Sequence, residues 1–200
     1  MRTYLIPILL TVLSTSLSAQ ASPDQIHHKN DCRLAAQTLR SGHPGPKTEW
    51  ALSIITSCGN DGATALAEAI RAMRISTDTA TLKYMRYQAG SFRDANVFAA
   101  VLEVAGDPGA SVPARVYALL ASQDIANPGL RYSFADATTD LDEEGRPRCD
   151  GLWRRVSDHR QVNGAPLPPD FRSRVYDVRR QIRSDSTSPR LVRAATFCPF

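Results

Sequence analysis

The four cysteines of this chain have the widest range of possible chemical roles, because a thiol can act as a nucleophile, bind zinc or form a disulfide. They are separated by 26, 91 and 49 residues, at Cys32, Cys58, Cys149 and Cys198. None belongs to a C-x-x-C pair, and these separations match no zinc-binding template. An even set with such spacing predicts two disulfides if the chain folds in an oxidising compartment.

The first 21 residues indicate that compartment. Arg2 supplies a positive charge, Leu5 to Leu17 form a mostly apolar run, and Ala19 and Ala21 have the small side chains that a signal peptidase recognises. The run is too short for a typical transmembrane helix, although an uncleaved N-terminal anchor is the alternative. We therefore expect a signal peptide over residues 1–21, cleavage between Ala21 and Ser22, and an exported protein, periplasmic or secreted, that spans no membrane.

Histidine and carboxylate groups offer two candidate metal sites. His27 and His28 lie near Asp31 and can bind a metal weakly, but we prefer to interpret them as part of a solvated N-terminal segment. The acidic run at 136–144 has the alternate carboxylates of a calcium loop, but Gly151 stands where the bidentate glutamate of an EF-hand belongs. We interpret this run as a plain surface loop, and we expect neither a metal nor another cofactor.

Sequence motifs for catalysis are missing. The patterns G-x-S-x-G, S-x-x-K and H-E-x-x-H do not occur, and no glycine-rich phosphate loop is present. The sequence therefore predicts a protein that is not an enzyme and has no catalytic residues. An enzyme stays an alternative, because convergent catalytic geometry need not leave a local motif.

Positive charge is concentrated in the C-terminal quarter, where residues 146–200 carry twelve arginines against five aspartates. Five of these arginines are candidates for binding an anion: Arg172, Arg179, Arg183, Arg190 and Arg193. Gathered on one side of a helical pair, they would attract anionic lipid or polysaccharide of the cell envelope. A solvated, internally paired face is the simpler interpretation, and the exported location excludes nucleic acid as a partner.

Apolar residues recur at helical spacing over 31–126 and again over 170–198. Glycine, proline and capping side chains divide these stretches into short helices. Helix starts are expected at Asp31, Pro46, Asn60 or Asp61, Thr77, Ser91 or Asp94, Ser111, Asp170 and Pro189. One all-α domain over 22–200 follows, built from stacked antiparallel helical hairpins, with an irregular excursion over 127–169.

The first predicted hairpin also predicts a disulfide. Cys32 lies about ten residues before the turn and Cys58 about eleven after it, so both sit roughly 15 Å from the turn. We therefore expect Cys32 to bond to Cys58. By elimination, Cys149 pairs with Cys198.

A short recurrence lies within the helical pattern. Three sets share an offset of eight residues from Asp to Arg, two of them with alanine three residues later: Asp78, Arg86 and Ala89; Asp107, Arg115 and Ala118; Asp185 and Arg193. The segments at 107–119 and 185–195 resemble the second-helix signature of HEAT repeats, a family with armadillo-like α-helical repeats. The resemblance implies a short α-solenoid with a protein-binding or scaffold surface. We expect the recurrent arginines to have a structural role, capping or bridging neighbouring repeats, with direct ligand contact as the alternative.

These features together predict an exported, non-enzymatic helical-repeat protein that binds a protein partner. The alternatives are a cell-envelope protein that binds anionic lipid or polysaccharide through its C-terminal arginines, and an enzyme without a recognisable local motif.

Overall fold

The computed structural model describes residues 23–126, 130–132, 153–155 and 162–196. Most of these residues are helical. The helices are α1 (Pro23–Arg40), α2 (Pro46–Ile54), α3 (Gly59–Ala72), α4 (Thr79–Ser91), α5 (Ala95–Gly106), α6 (Val112–Ala126), α7 (Phe171–Ser184) and α8 (Arg190–Ala195). Short 3₁₀ turns follow α2 at Ile55–Cys58 and α3 at Met73–Ile75.

The helices pack in two series. Along the odd-numbered series, α1 contacts α3, α3 contacts α5 and α5 contacts α7. Along the even-numbered series, α2 contacts α4, α4 contacts α6 and α6 contacts α8. The even helices begin at Pro46, Thr79 and Val112, a spacing of 33 residues in both intervals. The prediction of a helical fold with packed helix pairs is therefore confirmed.

The loops that close the hairpins contact one another at one end of the two series. The amide of Gly45, before α2, donates to Thr81 Oγ1 in the first turn of α4 over 3.2 Å. The amide of Ser111, before α6, donates to the carbonyl of Arg74 over 2.8 Å. These bonds satisfy polar groups at the helix ends, and they set α2, α4 and α6 side by side with their N-termini aligned.

Aliphatic and small side chains form one core between the two series, and the buried part of α6 runs from Ala114 to Ala126. Alanine allows close approach of neighbouring helices, while larger residues fill the remaining space. Among the largest fully buried side chains are Leu39, Leu52, Leu66, Phe98, Leu119 and Leu120.

A disulfide joins Cys32 in α1 to Cys58 at the end of the first 3₁₀ turn, so the predicted pairing is confirmed. Their sequence separation of 26 residues corresponds to about 3.5 kcal/mol in the chain-entropy model. The other predicted pair, Cys149 with Cys198, lies outside the described residues. So do the predicted signal peptide, its predicted cleavage site between Ala21 and Ser22, and the acidic run at 136–144.

Several predicted helix starts are correct, and others are wrong. Helix α2 begins at Pro46, Asp94 caps α5, and Ser111 Oγ accepts the amide of Ala114 at the start of α6. Asp31, in contrast, lies inside α1, which begins at Pro23. The N-terminal half of this helix has no buried residue over 27–34, so no apolar periodicity marks it.

Two other starts are displaced. Helix α3 begins at Gly59, before both Asn60 and Asp61. Helix α4 is capped by Asp78, whose carboxylate accepts the amides of Ala80 and Thr81, and not by Thr77. Aspartate is the better cap because its charged oxygen accepts two of the free amides of the first turn.

Two short strand pairs interrupt the helical pattern. Strand β1 (Phe92–Arg93) pairs in parallel with β4 (Val162–Asn163), and β2 (Leu130–Tyr132) pairs antiparallel with β3 (Trp153–Arg155). The excursion predicted as irregular therefore contains strand residues. Strands of two or three residues are too short to show the alternation that predicts a strand from sequence.

No helix among the described residues is both long and apolar enough to cross a membrane.

Candidate functional site

The five arginines predicted to bind an anion do not form one open surface. Arg172 and Arg183 are exposed on α7, whereas Arg179 is only 3% exposed, and Arg190 and Arg193 lie on α8, exposed and half-buried respectively. Helix α7 buries the side that carries Val175 and Ile182, and the helical period places Arg179 at the edge of that side. Sequence spacing predicts the apolar face of α7 correctly, but it does not predict that Arg179 is buried at the edge of that face.

Arg179 and Arg183 nevertheless bring two positive charges close together. Burial and, to a smaller extent, the neighbouring charge of Arg183 lower the pKa of Arg179 to about 10, and Tyr176 partly opposes the shift. Arg183 donates from Nε to Thr196 Oγ1 over 2.9 Å and from Nη2 to the carbonyl of Thr196. Helix α7 therefore fixes a positive cluster beside the exposed ring of Tyr176, which is 55% accessible.

Neighbouring arginines on α7 are engaged in exposed ion pairs. Arg174 lies 3.0 Å from Asp170, and Arg180 pairs with Asp177. Exposed pairs of this kind contribute little to stability, about 0–1 kcal/mol. The two carboxylates do reduce the net positive charge of α7, as expected for a partly neutralised charged face.

Arg115 connects two hairpin loops. This buried side chain donates from Nε to the carbonyl of Ala105 over 3.2 Å, at the end of α5. Burial lowers the pKa of Arg115, and the nearby carboxylates of Asp185 and Asp107 oppose that shift. Arg115 thus lies within the electrostatic reach of its own hairpin loop and of the loop between α7 and α8.

Arg86 forms a buried ion pair between helices. Its Nε and Nη2 lie 2.9 and 3.3 Å from the two carboxylate oxygens of Asp124, and the side chains are 1% and 3% exposed. The pair joins α4 to α6. Since Arg86 and Arg115 are both buried against protein groups, their geometry supports the predicted bridging role.

The three sequence recurrences do not occupy equivalent places. Asp107 and Asp185 each follow an odd helix as its C-cap, and Arg115 and Arg193 are each the fourth residue of the next even helix. Asp78, in contrast, is the N-cap of α4, and Arg86 is the eighth residue of that helix. The Asp78 set therefore matches the others in spacing alone.

Asp185 provides a prediction on acid stability. Hydrogen bonds from the side chain of Thr187, the hydroxyl of Ser188 and the amide of Thr187 lower its pKa from 3.8 to about 2, and Arg115 adds to the shift. The unfolded chain then takes up a proton that the folded protein does not, so this contribution to stability is lost as the pH falls from about 4 to about 2. We expect the melting temperature of Asp185→Asn to fall less than that of the wild type between pH 4.5 and pH 2.5, as measured by circular dichroism. Equal losses would contradict this role of Asp185.

A second candidate surface consists of exposed aromatic side chains on the even helices. Trp50 on α2 is 41% exposed and Tyr84 on α4 is 46% exposed. Trp50 is part of the apolar pattern of α2, but the buried residues of this helix are Thr48, Ala51 and Leu52. We call Trp50 and Tyr84 the aromatic pair.

The aromatic pair points away from the odd helices. In α4 the residues around Tyr84 at helical spacing, Ala80, Tyr87 and Gln88, are exposed or half-buried, while Leu82 and Met85 face the core. Helices α2 and α4 start side by side through the bond from Gly45 to Thr81. Trp50 and Tyr84 are therefore in the second turns of two adjacent helices, at similar heights. The sequence indicates where buried and exposed positions alternate, but it does not indicate which aromatic rings stay exposed.

Metal-binding groups do not gather in the parts of the chain that the structure describes. His28 Nε2 lies 3.1 Å from the carbonyl of Ser57, to which it donates, and Asp31 is an exposed residue of α1. A shallow groove of about 430 Å³ runs between α5 and the proline-rich segment before α7, and its lining includes Phe98, Leu102 and Pro168. Its side chains are mainly apolar, which suits contact with an apolar group better than acid–base chemistry.

Comparisons with known proteins add no relative to this description. No protein-family model matches the sequence, and neither a curated protein nor a solved structure is significantly similar to it.

Proposed function

We propose that the protein is an exported, non-enzymatic helical-repeat module that binds a partner protein through the aromatic pair on α2 and α4. The exposure of Trp50 and Tyr84 is the observation that carries this proposal. Tryptophan and tyrosine are enriched among the residues that dominate binding energy at protein interfaces. The two rings lie in the second turns of adjacent helices, and each has an apolar body with a polar tip.

The architecture that presents this pair is a short α-solenoid. Support comes from the two packed series, from the 33-residue spacing of the even helices, and from the matching places of Arg115 and Arg193. Resemblance of 107–119 and 185–195 to HEAT repeats points the same way. In solenoids of this kind each repeat contacts its neighbours, and the stacked helices provide an extended binding surface.

The aromatic pair gives the first binding prediction. We expect the double variant Trp50→Ala/Tyr84→Ala to weaken partner binding at least about 30-fold, because truncating one interface ring of this kind costs about 2 kcal/mol or more. The partner is identified by affinity capture from the envelope fraction of the producing cells under oxidising conditions. Binding is then measured by calorimetry with purified partner.

Ile75 offers a matched control, since it is 68% exposed but lies in the 3₁₀ turn after α3. The variant Ile75→Ala also removes an exposed apolar side chain, and we expect it to bind as the wild type does. Unchanged melting temperatures show that the variants are folded. Partner binding that survives loss of both rings would overturn the proposed surface.

A second candidate function is binding of anionic lipid or polysaccharide by α7. The observation that favours it is the proximity of Arg179 and Arg183 on α7, where the charge of Arg183 adds to the lowering of the Arg179 pKa that burial causes. The same capture experiment separates the two functions. Co-purified lipid or glycan that is released by salt and by Arg172→Gln/Arg183→Gln, but not by the aromatic variants, supports the second function instead.

A further inference from the structure

We propose that the Cys32–Cys58 disulfide is an exchange site for small thiols, at which the thiol attacks Cys58 and Cys32 is the leaving group. The inference rests on the different surroundings of the two sulfur atoms. It is independent of any partner protein.

Cys32 has a hydrogen-bond donor beside its sulfur. His28 precedes it by one helical turn in α1, and His28 Nε2 lies 3.8 Å from Cys32 Sγ. The same nitrogen lies 3.1 Å from the carbonyl of Ser57, which can only accept, so Nε2 carries a hydrogen atom. That single N–H donates to the carbonyl of Ser57 and also lies near Cys32 Sγ, where it can stabilise negative charge on Cys32 as the disulfide opens.

Cys58 has surroundings of the opposite kind. Its side chain packs against the hydrophobic core, and its sulfur lies 3.5 Å from the carbonyl oxygen of Ile54. An apolar environment and a neighbouring oxygen lone pair both disfavour a thiolate at this position. Since the sulfur whose negative charge is better stabilised leaves faster, the bond breaks with its electron pair on Cys32.

The exchange takes two thiols. In the first step a thiolate attacks Cys58 Sγ, the Cys32–Cys58 bond breaks, and a mixed disulfide forms on Cys58 while Cys32 becomes a thiolate. In the second step another thiolate attacks the mixed disulfide, the small disulfide leaves, and Cys58 takes up a proton. Two small thiols are oxidised and one protein disulfide is reduced.

Neither cysteine is fully buried, because Cys32 and Cys58 are both half-buried residues and the neighbouring His28 is exposed. Opening of the bond also has a structural effect. Over 27–34 helix α1 has no buried residue, and its buried side chains, Ala35, Ala36 and Leu39, lie in the C-terminal half. Exchange therefore removes the covalent link between this poorly buried part of α1 and the first 3₁₀ turn.

The test is the position of the first adduct. The full protein is treated briefly with reduced glutathione, alkylated, digested and analysed by mass spectrometry. We expect at least about three glutathione adducts on Cys58 for each adduct on Cys32. In the molecules that carry glutathione on Cys58, the alkyl group should be on Cys32. Equal adducts on both cysteines, or an excess on Cys32, would overturn the proposal.

Two histidine variants complete the test. His28→Asn should slow formation of the first adduct about threefold and lower the preference for Cys58, because the leaving thiolate loses its donor. His27→Asn, the matched change at the adjacent exposed histidine, should leave rate and preference as in the wild type. Equal rates in the wild type and both variants would show that His28 plays no part. Circular dichroism of the oxidised proteins confirms that the exposed substitutions leave the fold intact.

Discussion

Replacement of Asp124 by alanine is expected to lower the free energy of unfolding by about 3–5 kcal/mol, because it leaves a buried charge without its partner. Both side chains of the Arg86–Asp124 pair are almost fully buried. Loss of the carboxylate leaves the guanidinium of Arg86 between α4 and α6 without its charged hydrogen-bond acceptor. Urea denaturation followed by circular dichroism measures the change.

Two controls separate burial of an uncompensated charge from other effects. Asp177→Ala makes the same change in an exposed pair, whose side chains are 79% and 62% accessible, and should cost less than about 1 kcal/mol. The double variant Arg86→Met/Asp124→Leu removes both charges and should recover most of the lost stability. A double variant as unstable as Asp124→Ala would contradict the electrostatic explanation.

The second large effect is expected at Asp94, where Asp94→Ala should cost about 2–4 kcal/mol. One carboxylate oxygen accepts the amides of Asn96 and Val97 over 2.8 and 3.0 Å, and so caps α5. The other accepts the amide of Ala165 over 2.7 Å. The substitution therefore removes a helix cap and also the acceptor that fixes the chain before α7.

Asp78→Ala is the matched control, because Asp78 caps α4 in the same way. The hydrogen bonds of its carboxylate are local, to Ala80 and Thr81, so we expect a cost of about 1 kcal/mol. The two variants are compared by urea denaturation. Equal costs would show that the bond to Ala165 contributes nothing measurable.

Gly164 indicates how closely the segment approaches Asp94. A Cβ atom at Gly164 would lie 2.2 Å from Asp94 Oδ2, nearer than atoms in contact can be. The close approach brings the amide of Ala165 within reach of the carboxylate. Any side chain at this position would have to displace either the capping aspartate or the segment.

The sequence predicted those parts of the fold that depend on local chemistry. Pro46 and Asp94 determine helix starts within their own turn of chain, and the Cys32–Cys58 pairing follows from the rise of two helices about a short loop. Helix α1 shows the limit of this reasoning. Residues 27–34 of this helix contain no buried side chain, so their apolar pattern contains no information on where the helix begins.

The candidate sites were predicted less completely, because exposure depends on distant parts of the chain. Arg179 and Arg183 are four residues apart on α7, yet the first is buried and the second exposed. Trp50 is a large apolar residue within a helical pattern, but packing of α2 against α1 and α4 leaves the ring on the outside. The partner of Arg86 could not be predicted from local spacing, because Asp124 follows it by 38 residues.

The bond between Asp94 and Ala165 has a consequence for the order in which the protein folds. Most helix contacts join elements that are one or two places apart along the chain, and such contacts form quickly because they close short loops. The Asp94–Ala165 bond closes a loop of 71 residues, and the parallel pairing of Phe92 with Val162 belongs to the same closure. We expect the entropic cost of this closure to be met late, so that the helices from α1 to α6 form first and the chain before α7 docks on them last.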